Sequence, residues 1–235
     1  MRGNVVSLES HDTSGKVVGI AGGVASGKSA VTQFLAELGG LVLNADEMAH
    51  EVLRQPEVVD LLVDHFGSQI LLKIPDQDLG QNTEKDDRMP ARVLDRSGIA
   101  KQVFGETVQH KSNRQFLESV VQSRVRDRLL REIEIWKNQS GAKTFLVLDV
   151  PLLFERDWNR FCDYVLMVDT PEAKRKENAV RRGWSEQDWR AREQSQMSIA
   201  EKRDRATHLI SNDSSLDDLR TQVQAWYATH LDSHK

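Results

Sequence analysis

Eight consecutive residues restrict this chain's fold more than any others: Gly22-Gly23-Val24-Ala25-Ser26-Gly27-Lys28-Ser29. They satisfy the spacing G-x-x-x-x-G-K-[ST], in which loop N–H groups close round a phosphate, the lysine reaches the outer phosphates and the hydroxyl meets a Mg²⁺ ion. The motif means something only between a strand and a helix, and both flanks have the right character. Val17-Val18-Gly19-Ile20-Ala21 is a short apolar run that reads as a buried strand. Val31, Phe34, Leu35 and Leu38 then recur at helical spacing, and Gly39 marks the stop. Gly22 and Gly27 are expected to supply turn conformations and a close backbone approach that a side chain would forbid. The loop amides and the helix N-terminus converge on one anion site, so the chain is expected to bind a nucleotide through Gly22 to Ser29.

The rest of the composition sets bounds. With 235 residues there is room for one substantial core and a small appended subdomain. The net charge of −4 gives no global basic field, so nucleic acid is not an expected partner. The single cysteine, Cys162, rules out an intramolecular disulfide and fits a reducing compartment. No apolar run reaches the roughly 20 residues of a membrane span, and the polar stretch Met1 to Gly15 lacks the hydrophobic centre of a signal peptide and reads as a disordered tail. The expectation is a soluble cytoplasmic protein with small-molecule substrates, as a monomer or small homo-oligomer.

Taken in order, Leu41-Val42-Leu43 reads as a second strand, ending in Asn44-Ala45-Asp46. Ligands of open parallel sheets sit beyond the carboxyl ends of the strands, which places Asp46 near the phosphates; the same residue would also serve as N-cap of a helix beginning near Glu47. Residues 47 to 72 read as helical, with Val52, Leu53, Val58, Leu61, Leu62 and Phe66 inward. The polar stretch Pro75 to Pro90 reads as an exposed loop. Ile99, Val103 and Phe104 share a helical face, and a long amphipathic helix follows with Leu117, Val120, Val121, Val125, Leu129 and Ile133 inward. Phe145 to Asp149 is an apolar strand ending in a carboxylate, the pattern of a strand whose aspartate helps hold Mg²⁺. Tyr164 to Asp169 and His208 to Asn212 read as further strands, and Leu216, Leu219, Val223 and Trp226 line a final helix. Between them, Glu172 to Arg205 is charged, mostly helical and rich in arginine. It is either a solvated face of mixed charge or a mobile lid whose arginines neutralise a phosphoryl group.

These landmarks together resemble the dephospho-CoA kinase family over about Val17 to Trp226. The Asp149-Val150-Pro151-Leu152-Leu153-Phe154-Glu155 block carries much of the likeness, with Asn44-Ala45-Asp46, Ala49-His50, Leu94-Asp95-Arg96, Val103-Phe104, Gln196-Met197, Lys202 and Ile210-Ser211-Asn212 in the same order. The resemblance implies an α/β fold with a P-loop NTPase-type parallel sheet flanked by helices. Residues 16–46, 143–171 and 206–230 would form the nucleotide-binding core, 47–142 an inserted helical acceptor-binding domain and 172–205 a helical lid, after a tail at 1–15. It implies a reaction, ATP phosphorylating the ribose 3′-hydroxyl of dephospho-CoA, with ATP and Mg²⁺ as cofactors. It assigns catalysis to Asp46, Lys28 and Arg181, metal binding to Ser29 and Asp149, nucleotide contact to Asn212 besides the glycine loop, and acceptor contact to Arg96, Phe104, Pro151 and Leu152. The chain departs from the family pattern at Asn44, Gln122-Ser123, Lys174, Glu177 and Thr207, and its 75–90 loop is long. Alternative readings are another small P-loop kinase acting on a nucleoside, nucleotide or shikimate-like acceptor, or an ATP-binding pseudokinase. A nucleotide-dependent switch is disfavoured, since neither the Asn-Lys-x-Asp guanine motif nor the Leu-Ser-Gly-Gly signature of ABC ATPases occurs.

Overall fold

The computed structural model describes residues 15–72, 92–138 and 145–232. The expected tail up to residue 14 and the 75–90 loop lie outside the described residues. Five strands form one all-parallel sheet in the order β2-β3-β1-β4-β5: β1 Val17–Gly22, β2 Leu41–Asn44, β3 Leu146–Asp149, β4 Tyr164–Asp169 and β5 His208–Ser211. β1 lies centrally because it is buried along its whole length, as a strand covered on both faces must be. Its registers are Val18 opposite Val147 on one side and Ile20 opposite Leu166 on the other.

Side chains alternate across the sheet with period two. Val18, Ile20, Val147, Leu166 and Val168 join one apolar cluster with Val31, Phe34 and Leu35 of α1 (Lys28–Glu37) and Leu219, Val223 and Trp226 of α9 (Leu216–His230). On the opposite face Gly19 leaves room for Cys162 and Leu153; a Cβ there would lie 2.7 Å from Cys162 Sγ. α1 ends as the sequence indicates, at Gly39 with φ 95°, the left-handed conformation glycine adopts most readily. α9 begins on a capping box in which Ser215 and Asp218 each accept the other's backbone N–H.

The described chain divides into two compact units, Ala45–Arg131 on one hand and the segments up to Asn44 and from Glu132 onward on the other. The smaller unit holds α2 (Ala45–Val52), α3 (Pro56–Phe66), α4 (Arg96–Val103) and most of α5 (Val108–Asn138). The single helical stretch expected over 47–72 is broken. Pro56 occupies the first position of α3 and disfavours helical geometry at Gln55, which sits at φ −68°, ψ 129°. Gly67 ends α3 at φ 86°, before a short 3₁₀ turn at Ser68–Ile70. Val58, Leu62 and Phe66 are buried but Leu61 is exposed, since one flank of α3 faces water. His65 and Phe116 stack at 3.7 Å between ring centres, and Glu51 pairs with Arg128. α4 begins on Asp95, whose carboxylate accepts the Ser97 N–H at 2.9 Å. Ile99 and Val103 are buried as expected, but Phe104 is 70 % exposed. It follows the last residue of α4 in extended backbone, which turns it off the helical face.

The remaining helices belong to the sheet-bearing unit: α6 (Glu172–Arg181), α7 (Glu186–Gln194) and α8 (Ile199–Arg205). The solvated reading of this arginine-rich segment fails at particular positions. Arg175, Ala179, Trp189 and Lys202 are all buried: Arg175 pairs with Glu193, Ala179 and Trp189 pack with Val24 and Ala25 of the glycine loop, and Lys202 pairs with Glu155.

Candidate active site

The phosphate loop connects β1 to α1 at the carboxyl edge of the sheet. Gly27 precedes α1 with φ 93° and ψ 18°, so the motif's second glycine supplies a left-handed turn. Gly22 does something different from the turn expected of it. It lies in β1, and a Cβ there would sit 2.4 Å from Ser26 Oγ, so its contribution is space for the loop to fold back over the strand. Ala25 adopts φ 60°, a left-handed conformation uncommon outside glycine.

Three consecutive loop carbonyls, those of Val24, Ala25 and Ser26, each have a side-chain donor. Trp189 Nε1 donates to Val24 O at 3.4 Å and Asn178 Nδ2 to Ala25 O at 3.1 Å. Thr170 Oγ1 and Asn212 Nδ2 both donate to Ser26 O, at 2.7 and 2.9 Å. Held carbonyls fix their peptide planes; within the loop the Val24 N–H goes to Glu193 and the Ser26 N–H to Gly23 O, and the first turn of α1 presents its N–H groups to an anion. Asn212, singled out from the sequence as a nucleotide contact, is thus a brace of the loop; a Cβ on Gly27 would come within 2.6 Å of its Nδ2. Lys174, one of the departures from the family pattern, secures Asn212 in turn, donating to Asn212 Oδ1 at 3.1 Å and to Ser214 O at 2.5 Å.

Lys28 is half-buried, and its ammonium donates back to the carbonyls of Gly23 at 3.2 Å and Gly22 at 3.4 Å. Burial lowers its pKa to about 8, with Lys202 and Arg182 pushing the same way and Asp149 and Glu193 opposing. Four charges therefore converge on the loop lysine, and three of them, Arg182, Glu193 and Lys202, come from the arginine-rich segment. Ser29, next along, is exposed. Asp149 ends β3 and sits in register opposite Asn44, which ends β2. Ser29 and Asp149 offer hard oxygen donors of the kind a divalent cation shares with nucleotide phosphates and water.

A cavity of about 480 Å³ opens beside Gly27, lined by Ala30, Lys174, Asn178, Arg181, Arg182, Asn212, Ser214, Leu216 and Leu219. Arg181 lies at its wall, largely exposed and paired with Glu177 at 2.6 Å. Pro151 and Leu152 form the turn after β3, where Leu152 takes φ 57°. The turn leads to Glu155, whose Oε1 accepts the Met197 N–H at 2.9 Å and pairs with buried Lys202 at 3.2 Å. Burial alone would raise the Glu155 pKa, but backbone N–H donors, that of Met197 among them, and Lys202 hold it below the usual carboxylate value. Lys202 also donates to Gln196 Oε1 at 2.8 Å. Glu155, Gln196 and Lys202 stood out in the sequence without an assigned role, and the fold gathers them into one buried polar knot.

In the smaller unit, Asp46 is exposed and lies inside the first turn of α2, whose first residue is Ala45. The N-cap reading is corrected accordingly: α2 starts directly after β2, so the capping position precedes Asp46. Arg96 is exposed at the start of α4, and Phe104 follows its end. Thr207, another departure from the family pattern, accepts the Val165 N–H at 2.8 Å and so closes the ladder between β4 and β5.

Comparison with known proteins decides what kind of phosphate loop this is. The family model for dephospho-CoA kinase matches residues 16–218, from β1 into α9. The chain belongs to the dephospho-CoA kinase family. Curated dephospho-CoA kinases from Deinococcus radiodurans and Symbiobacterium thermophilum are 34 % and 33 % identical to it over 217 residues, covering 92 % and 91 % of this chain and 93 % and 81 % of theirs. A solved structure titled TT1252 from Thermus thermophilus superposes with a TM-score of 0.65 at 29 % identity, covering 92 % of this chain and 98 % of that one. A dephospho-CoA kinase from Campylobacter jejuni, 21 % identical, shares the fold with a TM-score of 0.60 over 91 % of this chain and 96 % of its own. The likeness to dephospho-CoA kinases thus extends through the whole sheet, the braced loop and the α6–α8 segment.

Sequence reasoning overlooked four side chains that hold the loop: Thr170, Asn178, Trp189 and Glu193. Trp189 carried a signal, a lone large aromatic in an otherwise charged helix. The other three are ordinary polar residues whose partners lie 144 to 169 positions away along the chain.

Proposed function

We propose that this chain transfers the γ-phosphoryl group of ATP to the 3′-hydroxyl of the ribose of dephospho-CoA, giving coenzyme A and ADP. The observation that carries the reading is the family match over 16–218, which takes in the complete phosphate loop with all its braces. In phosphoryl transfer the protein contributes mainly positioning and charge neutralisation. Lys28 would leave the loop carbonyls for the outer phosphates, an exchange its half-buried position and lowered pKa allow. The Ser29 hydroxyl and Asp149 would hold Mg²⁺, which when bound neutralises phosphate charge. Asp46 would orient the ribose hydroxyl and accept its proton, a role supported by its place just past the carboxyl end of β2. Arg181 would turn from Glu177 to the transferring group, while Arg96, Phe104, Pro151 and Leu152 would contact the acceptor. An exposed arginine and an exposed phenylalanine in the smaller unit fit a phosphorylated, partly apolar acceptor such as dephospho-CoA. The cytoplasm is the proposed place of action, supported by the one cysteine in the chain.

The test is direct. Purified protein with Mg-ATP and dephospho-CoA should yield coenzyme A by mass and one ADP per product. Turnover confined to a nucleoside, nucleotide or shikimate-like acceptor would replace the proposed substrate, and ATP binding without turnover on any of them would make the chain a pseudokinase.

A further inference from the structure

The α6–α7 pair meets the phosphate loop through an arrangement that the kinase reading does not require. Glu193, near the end of α7, places Oε2 3.1 Å from the Val24 N–H and gives its other oxygen to Arg175 of α6. The Arg175 side chain is 6 % exposed, and its Nε donates to Thr170 O at 3.1 Å. The Arg175 guanidinium also lies over the Trp189 ring at 5.5 Å, and Trp189 Nε1 holds the carbonyl of the same Val24. Both peptide planes flanking Val24 are therefore fixed from α7. Asn178 of α6 holds the next carbonyl, that of Ala25.

Between these anchors Ala25 sits at φ 60°. A residue with a Cβ keeps that conformation only where its surroundings impose it. Within the loop one long hydrogen bond, Ser26 N–H to Gly23 O at 3.3 Å, spans this turn, and the glycines at the loop's ends relax easily. The braces from α6 and α7 supply the further restraint, and the direction of the following amides depends on it. Glu193 is an unexpected group here, since a carboxylate beside a triphosphate site is repelled by the ligand. Its presence is tolerable only because buried Arg175 neutralises it.

We infer that Glu193, held by Arg175, is a positioning residue for phosphoryl transfer: it locks the Val24 peptide, enforces the left-handed turn at Ala25, and so aims the loop amides at the nucleotide phosphates. The inference deepens the kinase reading and rests on its ATP site, though not on its acceptor. It links the α6–α7 helices to the geometry of the loop through a buried charge pair.

A buried ion pair exchanged for apolar groups of similar volume is often neutral or stabilising, whereas loss of one partner is strongly destabilising. That difference separates a positioning role from a packing one. The double variant Arg175→Met with Glu193→Leu removes both charges together and gives up the bonds to Val24 N–H and Thr170 O, so it should still melt cooperatively with a modestly lowered Tm. Titration with a non-hydrolysable ATP analogue and Mg²⁺ should nevertheless show affinity lowered about 10²-fold, the scale of a loss for groups misplaced by about 1 Å. Glu193→Gln keeps one acceptor oxygen and cannot serve Val24 and Arg175 together, so it should fall between. In ¹H–¹⁵N spectra the Val24 amide proton should move upfield in the double variant. Wild-type affinity for the analogue in the double variant, with the Val24 resonance unchanged, would overturn the inference and reduce the pair to core filling. If the wild type binds the analogue and phosphorylates no dephospho-CoA, the acceptor assignment fails, and the same titrations still decide the role of Glu193.

Discussion

Lys28 shows how one residue's surroundings set a measurable response. Its pKa of about 8 in the nucleotide-free protein means that above pH 8 the site binds triphosphate only by taking up a proton. Apparent ATP affinity should fall by about tenfold per pH unit above 8, by proton linkage, and titrations at pH 7, 8 and 9 would show it. Arg182→Ala removes a like charge from Lys28, so its pKa should rise and the alkaline limb should move to higher pH. The stability of the nucleotide-free protein runs the other way. The unfolded lysine binds its proton up to its ordinary 10.5, so this group's contribution is least favourable below pH 8 and improves as pH climbs from 8 to 10.5. Lys28→Ala should flatten both profiles and lower kcat by about 10²-fold or more, the loss expected from one major electrostatic group. Asp46→Asn keeps shape and loses the proton acceptor, so kcat should drop about 10²- to 10⁴-fold with ATP affinity retained. Asn44→Asp should change turnover little, because the other motif position already works as an amide; equal losses at both positions would move the base away from Asp46.

At the scale of elements, the decisive contacts come from α6, α7 and α8. Arg181 and Arg175 look alike in sequence, but one is exposed beside Glu177 and the other is buried against Glu193. Arg181→Ala should lower kcat more than ATP affinity, as for an interaction made only in the transition state. Matching losses in kcat and affinity would instead make it a ground-state contact. The Lys202–Glu155 pair ties α8 to the turn after β3, with Lys202 4 % exposed at its side chain. Lys202→Ala strands a largely buried carboxylate, and chemical denaturation should show a loss of about 3 kcal/mol. If Glu155→Gln introduced beside it recovers most of that loss, the penalty is the uncompensated charge; if it recovers none, lost packing explains it.

For the molecule as a whole, one contribution to acid stability sits at the β5 edge of the sheet. His208 of β5 and His230 of α9 lie 4.4 Å apart between ring centres, with Tyr164 and Trp226 around them. Burial, and then the His230 charge, lower the His208 pKa from 6.5. A base with a lowered folded pKa favours the unfolded chain once that chain binds the proton. Stability should therefore be intact above pH 6.5 and decline as pH falls through that value. Thermal melts at pH 7.5 and 5.5 would measure the drop in Tm, and His208→Gln should make it smaller; an unchanged drop would place the acid-sensitive groups elsewhere.

By itself the sequence determined the strands, the central loop and the family, because each is encoded locally. Apolar runs of strand length, two glycines at fixed spacing and the lysine–serine pair carry their chemistry within a few residues, and β1, β4 and α1 formed where those signals stood. It also specified Gly39 as the stop of α1, since a left-handed cap requires a residue without Cβ strain. The tertiary structure alone decided what Gly22 is for, that Phe104 faces outward, that Arg175 is buried and Arg181 is not, and that Thr170, Asn178, Trp189, Glu193 and Asn212 converge on three consecutive loop residues. The physical reason is range. A helix face or a turn is fixed by neighbours within about four positions. A charge pair or a carbonyl brace is fixed by which elements the crossover topology sets side by side. No local pattern distinguishes the arginine that will be buried from the one that will meet water.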